Sequence, residues 1–336
     1  MSLINSLEAF LESVNYTRSF IYPKSGSSAL ELSDKIERSL DPLQALRDIG
    51  SLFEAHTTKL GIAFKPPVST EAALKCITDI TGLLPLLAAV YSQTSDEDDG
   101  TLIRSEIRVK LADLLSAASA LGLELLTTAR KQDENQTKSG DASSNGQLVS
   151  IGQVWECCKK LQKLHVLGPQ GILSEKIEEF SSILKDAKED LTTWTENDSD
   201  GFGWDLSDGE DLDEPTHENN DHETPRNEEI EALAKTWIDK ITKLDILYQA
   251  IQKRRLSHLD KSSSIQLHVI MGEISRAIDD LVAGFLEGFG KRELESQAEA
   301  VNSVVKKLLD VVKQNEPQDK FAAWSSMFTQ NFFKRD

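Results

Sequence analysis

The chain has 336 residues and a formal net charge of −19, and its length favours two domains of ordinary size. Twelve acidic residues and no Lys or Arg lie between Glu196 and Glu223, and subtracting these charges from −19 leaves only −7 for the remainder. The remainder offers no broad basic surface that could neutralise phosphates. Composition therefore excludes direct binding of DNA or RNA as an expected function.

The lack of a secretory signal and the spacing of the cysteines predict an intracellular protein. The start, MSLINSLEAFLES, lacks the basic residues and the apolar run of a secretory signal. The longest apolar block, Gly82 to Tyr91, is about half of the roughly 20 residues that cross a bilayer, so no membrane span is expected. Cys76, Cys157 and Cys158 lack CxxC spacing, which suits reduced thiols better than disulfides or zinc ligands.

Hydrophobic residues recur at helical spacing along nearly the whole chain, and the alternation typical of strands is absent over any useful length. The first predicted element is a helix from Leu3 to Tyr22, and Asp41 before Pro42 is an N-cap signal for the next helix. Ser150 with Gln153 has the spacing of a capping box. Further helices are predicted from apolar stripes that step by three and four residues, over Leu74 to Tyr91, Ile107 to Leu125, Ile177 to Trp194, Ile230 to Ile251 and Leu294 to Val312.

Polar breaks containing Pro or Gly separate these helices at 65–69, 95–100 and 131–146, and the acidic stretch is a further break. Long helices with short polar connections favour antiparallel bundles. The sequence therefore predicts an all-α protein of two antiparallel helical bundles joined by a disordered acidic linker. The predicted domains are an N-terminal bundle of about five to six helices at 1–195, the linker at 196–227, and a C-terminal four-helix bundle at 228–336.

The stretch from Asn197 to Pro215, NDSDGFGWDLSDGEDLDEP, has three interpretations. As a calcium loop beginning at Glu196, it has Asp198 and Asp200 at suitable positions, but Ser207 stands where a bidentate Glu is needed. As a plain linker, it uses its charges only to stay solvated. As a partner-docking segment, it interleaves acidic and apolar residues, which is typical of disordered segments that bind another protein.

The docking interpretation accounts for Phe202, Trp204 and Leu206, because a purely solvating segment has little use for large apolar side chains. In an extended chain these alternate residues lie on one side, so we expect them to contact the partner. Ser207 is followed by DGE, a context that suits acid-directed kinases. We expect this serine to be phosphorylated.

Catalytic signatures are absent from the sequence, which contains no HExxH, no GxSxG and no glycine-rich phosphate loop. His56 lies on an apolar stripe and is expected to be a hydrogen-bonded core residue rather than a ligand or a base. Cys157 and Cys158 are expected to be packing residues of a helix. We therefore expect no enzyme activity, no cofactor and no metal.

The stripe from Leu294 to Val312 alternates steps of four and three, a spacing that coiled-coil dimers and bundle helices share. Packing against the chain's own helices is the preferred interpretation, with a coiled-coil dimer as the alternative. A monomer is therefore expected.

Five segments carry a resemblance to a known family, the cyclin-D-interacting proteins, GCIP. The acidic stretch after the last of them also resembles the family in its position. The resemblance extends over about residues 39–215 and rests on the order of the segments, since none is a catalytic motif. The segments are SLDPLQALRDIGSLFEAHTTKLGIAF at 39–64, STEAALKCITDITGLLPLLAAVYSQ at 69–93, TLIRSEIRVKLADLLSAASAL at 101–121, GQVWECCKKLQ at 152–162 and EEFSSILKDAKEDL at 178–191.

The resemblance implies an all-helical fold similar to the bundles of talin and vinculin. It also implies a non-enzymatic role in cytoplasm and nucleus, in which the protein binds a D-type cyclin or related regulators of the cell cycle and transcription. No cyclin-contacting residue can be transferred to a position in this chain. The alternative function is a talin- or vinculin-like scaffold or adaptor with cytoskeletal partners.

Overall fold

The computed structural model describes residues 2–22, 41–97, 100–135, 145–196, 228–313 and 320–334. The secondary structure in these ranges is helical, which confirms the all-α prediction. A short 3₁₀ helix, Leu256–His258, lies between the sixth and seventh α-helices. The α-helices are α1 (Leu3–Ile21), α2 (Pro42–Ala63), α3 (Thr70–Gln93), α4 (Thr101–Asn135), α5 (Asn145–Glu196), α6 (Glu228–Arg254), α7 (Lys261–Leu286), α8 (Lys291–Lys313) and α9 (Lys320–Phe332).

Helix starts show where local sequence signals succeed and where they fail. The side chain of Asp41 accepts a hydrogen bond from the amide of Leu43 at 3.1 Å, so the predicted N-cap of α2 is confirmed. The capping box predicted at Ser150 is wrong, because α5 begins at Asn145. Ser150 lies inside the helix, and its hydroxyl donates to the carboxylate of Glu124 on α4.

The long helix α5 is interrupted at Gly168, whose φ of 60° and ψ of −176° lie in a region that is essentially restricted to glycine. Pro169 follows, and it removes a backbone donor and disfavours a helical conformation of the residue before it. We call the two helical parts α5a (145–167) and α5b (169–196).

The chain divides into two compact units, Met1–Ile172 and Leu173–Asp336. This division differs from the predicted boundary after residue 195. The reason is that α5b contacts the helices that follow it in the sequence, through side-chain hydrogen bonds to α6 and aromatic contacts with α7. A stripe on one helix predicts that it is buried but does not identify the helices that bury it.

In the first unit, α1 packs against α3 and α4, and α2 packs against α3. Arg130 of α4 forms an ion pair with Glu8 near the start of α1 at 2.7 Å. The hydroxyl of Tyr22, at the end of α1, donates to the carbonyl of Arg108 at 3.4 Å, so α1 and α4 run antiparallel. Side-chain hydrogen bonds join α5a to α2 and α4 and complete the bundle.

In the second unit, α5b, α6, α7 and α8 pack together, and α9 packs on α6 and α8. The amide of Gln252 on α6 donates to the carboxylate of Glu178 on α5b at 2.7 Å. The guanidinium of Arg255 lies 4.4 Å from the ring centre of Phe321 in the first turn of α9. The second bundle therefore includes a helix that precedes the acidic stretch.

The predicted apolar stripe on α8 is buried in the second unit. Its residues from Leu294 to Val312 are at most 7% exposed. The chain's own side chains cover this face, as the bundle interpretation predicted. The stripe is therefore not an open coiled-coil seam.

Candidate protein-interaction surface

The predicted partner-binding residues Phe202, Trp204 and Leu206 and the predicted phosphorylation site Ser207 lie outside the described residues. The helices on either side of them, α5b and α6, are both described and both belong to the second unit apart from the first turn of α5b. The acidic stretch therefore connects two helices of one bundle. The predicted domain organisation had instead assumed that this stretch joins the two units.

A second candidate surface is a face of α3 that is exposed but uncharged. Its exposed residues recur at steps of three and four, and they include Leu86, which is 49% exposed. A helix on the surface of a bundle usually turns charged residues toward water, so this face is unusual. We call it the α3 face, and its members are Thr78, Gly82, Pro85, Leu86, Ala89 and Ser92.

Several side chains of the α3 face are small, and the space above Gly82 is open. A Cβ atom added at Gly82 would meet no atom within 4 Å. Pro85 lies inside the helix and has no backbone N–H to donate. With small residues near its centre, the face permits close approach of another helix, because the distance between packed helices depends on the side chains at the contact.

Helix α2 extends this face on one side. The two helices pack together across a connection of six residues, so they run antiparallel. Nδ1 of His56 on α2 lies 3.4 Å from Oδ2 of Asp79 on α3, so these two residues lie at the same height along the two helices. Leu52 precedes His56 by one turn, so it lies level with the middle of α3, and it is 50% exposed. His56 is half-buried beside a carboxylate and is not a core residue.

Charged residues stand at the two ends of the α3 face. Lys59 of α2 and Lys75 of α3 lie near Cys76, which is in the first turns of α3. Asp96 and Glu97 follow the last turn of α3. Burial raises the pKa of the Cys76 thiol, and the two lysines oppose that rise. The face is therefore uncharged between two ends that carry both signs of charge, because the exposed Glu71 lies one turn before Lys75 and Arg104 pairs with Asp96 at 3.5 Å.

Among the helices of the described ranges, α3 is long and apolar enough to cross a membrane by length and composition. The sequence prediction of no span considered only the unbroken apolar block at 82–91, whereas the whole helix meets the criterion. The other side of α3 packs against α1 and α2 in the core of the first unit. Core helices meet the same criterion, so apolar length alone does not assign α3 to a membrane.

The adjacent cysteines are packing residues of α5a. Burial raises the pKa of the Cys158 thiol to about 12, and burial also raises the pKa of Cys157. Thiols held in the neutral form are poor nucleophiles and poor metal ligands. In the part of the chain that the structure describes, no group of three or more His, Cys, Asp and Glu side chains could hold a metal ion.

Comparison with known proteins found one matching family model and three similar proteins. Residues 45–197 match the family model described as Grap2 and cyclin-D-interacting, N-terminal. An uncharacterized protein of Schizosaccharomyces pombe is 28% identical over 305 residues, covering 90% of this chain and 87% of that protein. An uncharacterized protein of Saccharomyces cerevisiae is 25% identical over 305 residues, covering 84% and 83%. The cyclin-D1-binding protein 1 homolog of Xenopus laevis is 32% identical over 140 residues, covering 40% and 38%.

The matched region runs from α2 to the end of α5 and contains the α3 face, which sequence reasoning missed. The signal was present in the block GLLPLLAAVY, whose apolar residues occur on every side of a helix and exceed what one buried stripe needs. The segments that carried the resemblance lie largely within the match. Residues 45–197 are therefore similar to the N-terminal region of the Grap2 and cyclin-D-interacting family, GCIP, as the segments quoted from the sequence indicated.

Proposed function

We propose that this chain is a non-enzymatic regulatory protein that binds a D-type cyclin or a related regulator of cell-cycle progression and transcription, in cytoplasm and nucleus. The family match of residues 45–197 carries this proposal. The Xenopus relative, named as the homolog of a cyclin-D1-binding protein, supports it over 40% of the chain. The raised pKa of the Cys158 thiol supports a structural rather than a nucleophilic role for that residue.

The acidic stretch is the proposed docking segment. Phe202, Trp204 and Leu206, the three docking residues, would lie on one side of an extended chain. The surrounding carboxylates would steer the segment toward a basic rim on the partner. Both ends of this stretch are attached to helices of one bundle, α5b and α6. Attachment at both ends reduces the entropy that a segment loses when it docks.

The test measures the affinity of the full chain for a purified D-type cyclin by calorimetry. Replacing the three docking residues by Ala should weaken binding about thirtyfold or more, since truncating a buried aromatic anchor typically costs about 2 kcal/mol. The matched control replaces His217, Asn219 and Asn220 by Ala in the same stretch and should leave the affinity unchanged. Wild-type binding should also weaken as salt is raised, because salt screens the steering charges.

Two outcomes would redirect the proposal. If the docking variant binds the cyclin as tightly as the wild type, recognition belongs to the bundle surfaces. If the wild-type chain binds no D-type cyclin, and affinity purification from its own cells retrieves actin or adhesion proteins instead, the talin- or vinculin-like scaffold replaces the cyclin-binding role.

A further inference from the structure

The connection between α3 and α4 carries an acid-rich sequence, TSDEDDG at 94–100. Ser95 is followed directly by four acidic residues. Charge patterns of this kind guide acid-directed kinases to their substrates, as in the context of Ser207. Sequence context alone does not separate Ser95 from Thr94, which also has acidic residues two and three positions after it.

The structure distinguishes the hydroxyl groups of these two residues. Thr94 is 2% exposed, and its hydroxyl donates to the carbonyl of Tyr91 at 2.7 Å. Ser95 lies beyond the end of α3 and is half-buried, and the turn at Asp96 and Glu97 that follows it is exposed. Ser95 is therefore the more accessible of the two acceptors for a phosphoryl group.

Arg104, in the first turn of α4, lies beside this connection. The centre of its guanidinium is 5.6 Å from the ring centre of Tyr91, and its Nη1 is 3.5 Å from Oδ2 of Asp96. Residues on both sides of Ser95 in the chain therefore contact the same cation. Nε of Arg104 is buried and has no hydrogen-bond partner among the described residues. A buried donor without a partner is costly, so an acceptor that reached Nε would be favoured.

We propose that Ser95 is a phosphorylation site and that Arg104 binds the phosphate once it is attached. The kinase transfers the γ-phosphoryl group of ATP to Oγ of Ser95. An O–P bond forms at Oγ, the bond to the β-phosphate oxygen breaks, ADP leaves, and the hydroxyl proton passes to the base of the kinase. The attached phosphate has three acceptor oxygens, and a guanidinium can bind two of them with paired N–H donors. Nε of Arg104 would supply one of these donors.

Two electrostatic effects oppose each other at this site. The carboxylates of Asp96 and Glu97 repel a phosphate of charge about −2, but both residues are exposed, and salt screens exposed charges. Nε of Arg104 is buried, so the attraction of this cation is screened less. The first turn of α4 has no acidic residue, and an anion near a helix N-terminus is favourable. We therefore expect attraction to prevail.

The phosphate would also displace the carboxylate of Asp96 from Arg104. Their contact of 3.5 Å is longer than the roughly 2.7–2.9 Å of a charge-assisted hydrogen bond. Modification would thereby join the end of α3 to the first turn of α4 through one phosphate. This regulation of the first unit does not depend on the proposed cyclin binding.

Labelling tests the site. The full chain carrying Ser207→Ala, which removes the other predicted site, is incubated with a purified acid-directed kinase and ATP, and tandem mass spectrometry locates the phosphate. Ser95 should be modified, more slowly than Ser207 of the wild type, because a half-buried residue must open locally to enter a kinase. Thr94 is the internal control and should stay unmodified, since its hydroxyl is buried and bonded.

A synthetic peptide of residues 89–101 is the control for the kinase itself. If the peptide is labelled and Ser95 of the folded chain is not, the site is overturned. If Thr94 is labelled as strongly as Ser95, the charge pattern alone selects the acceptor, and the structural part of the argument is wrong.

The second pKa of the phosphate tests the role of Arg104. Phosphorus NMR follows the titration of the chain phosphorylated at Ser95, and this pKa is ordinarily about 6. A cation beside the phosphate favours the dianion, so Arg104→Gln should raise the pKa by about 0.5 or more. Arg104→Lys keeps the charge but loses the paired donors, so its pKa should fall between the two.

Arg108→Gln is the matched control for this titration. It removes the same charge one turn further along α4, where the guanidinium lies 5.5 Å from the ring centre of Tyr22, and it should leave the phosphate pKa nearly unchanged. Equal pKa values in the wild type and Arg104→Gln would show that Arg104 does not bind the phosphate. Equal rises for the two Gln variants would assign the effect to the net charge of α4. Either result would overturn the proposed role of Arg104.

Discussion

The indole ring of Trp194 packs against the phenyl ring of Phe285, with ring centroids 5.5 Å apart and planes tilted by 54°. Trp194 lies near the end of α5b and Phe285 lies near the end of α7, so both helices run in the same direction along this contact. The contact belongs wholly to the second unit, although residue 194 falls within the first of the domains predicted from the sequence. The helix before the acidic stretch is therefore part of the second bundle.

Fragment stability tests this division of the chain. Fragments 1–168 and 169–336 should each unfold cooperatively, because each retains the helices that cover its apolar core. Fragment 228–336 lacks α5b, so its melting temperature should be about 10 °C or more below that of 169–336, or it should show no cooperative transition. Thermal unfolding followed by circular dichroism measures all three. Equal melting of 228–336 and 169–336 would contradict the division.

Gly122 of α4 permits close approach of α1. A Cβ there would lie 2.8 Å from Cδ2 of Leu11 and 3.0 Å from Cε1 of Phe10. Gly122→Ala should therefore lower the free energy of unfolding by about 1–3 kcal/mol, as the overpacking outweighs the gain in helix propensity. Gly82→Ala is the control, and it should raise that free energy by up to about 1 kcal/mol, since its Cβ meets nothing within 4 Å. Urea denaturation of both variants gives the comparison. A neutral Gly122→Ala would show that the Phe10 ring can move aside.

The hydroxyl of Thr57 is buried in the first unit without a hydrogen-bond partner among the described residues. A cavity of about 10 Å³ beside it is lined otherwise by apolar side chains. A water molecule there would find one polar group, whereas buried waters typically make about 3 hydrogen bonds. Thr57→Val should therefore raise the free energy of unfolding by about 1 kcal/mol.

The adjacent Thr58 provides the control for this variant. Its hydroxyl donates to the carbonyl of Glu54 at 2.8 Å, so Thr58→Val loses a hydrogen bond and should not stabilise the chain. Chemical denaturation of both variants checks the difference. A destabilised Thr57→Val would mean that the hydroxyl is hydrogen-bonded in solution.

The Cys158 thiol should resist alkylation in the folded chain. Its pKa of about 12, raised by burial from 9.0, leaves about a thousandfold less thiolate at pH 8 than an ordinary cysteine has. Cys157, which is half-buried, should react faster with iodoacetamide, as mass spectrometry over time would show. Because folding raises this pKa, the associated stabilisation is fully present below pH 9 and is lost as the pH rises through 12. Equal alkylation rates for the two thiols would contradict this account.

The predicted phosphorylation of Ser207 in the acidic stretch can be tested independently of partner binding. A phosphate would add about −2 to a segment that is already acidic. An acid-directed kinase should label the full chain, and Ser207→Ala should abolish most of that label. Recovery from cells of peptides that cover 197–215, always without phosphate, would remove the prediction.

Local pattern was sufficient to predict the helices, the N-cap at Asp41 and the burial of the α8 stripe from Leu294 to Val312. Each of these follows from residues within a few turns of one another, because side chains three and four positions apart share a helix face. The order of the segments was also sufficient to indicate the family, and the match of residues 45–197 confirms it.

Only the tertiary structure decided which helices pack together. The periodicity of α5 is unchanged across Gly168, yet the two sides of this residue belong largely to different bundles. The apolar residues of α3 exceed what one buried stripe needs, but only the structure showed that the row from Thr78 to Ser92 stays exposed while the opposite side is buried. The reason is physical: an apolar residue gains the same free energy from any surface that removes it from water, so its own sequence does not specify which surface that is.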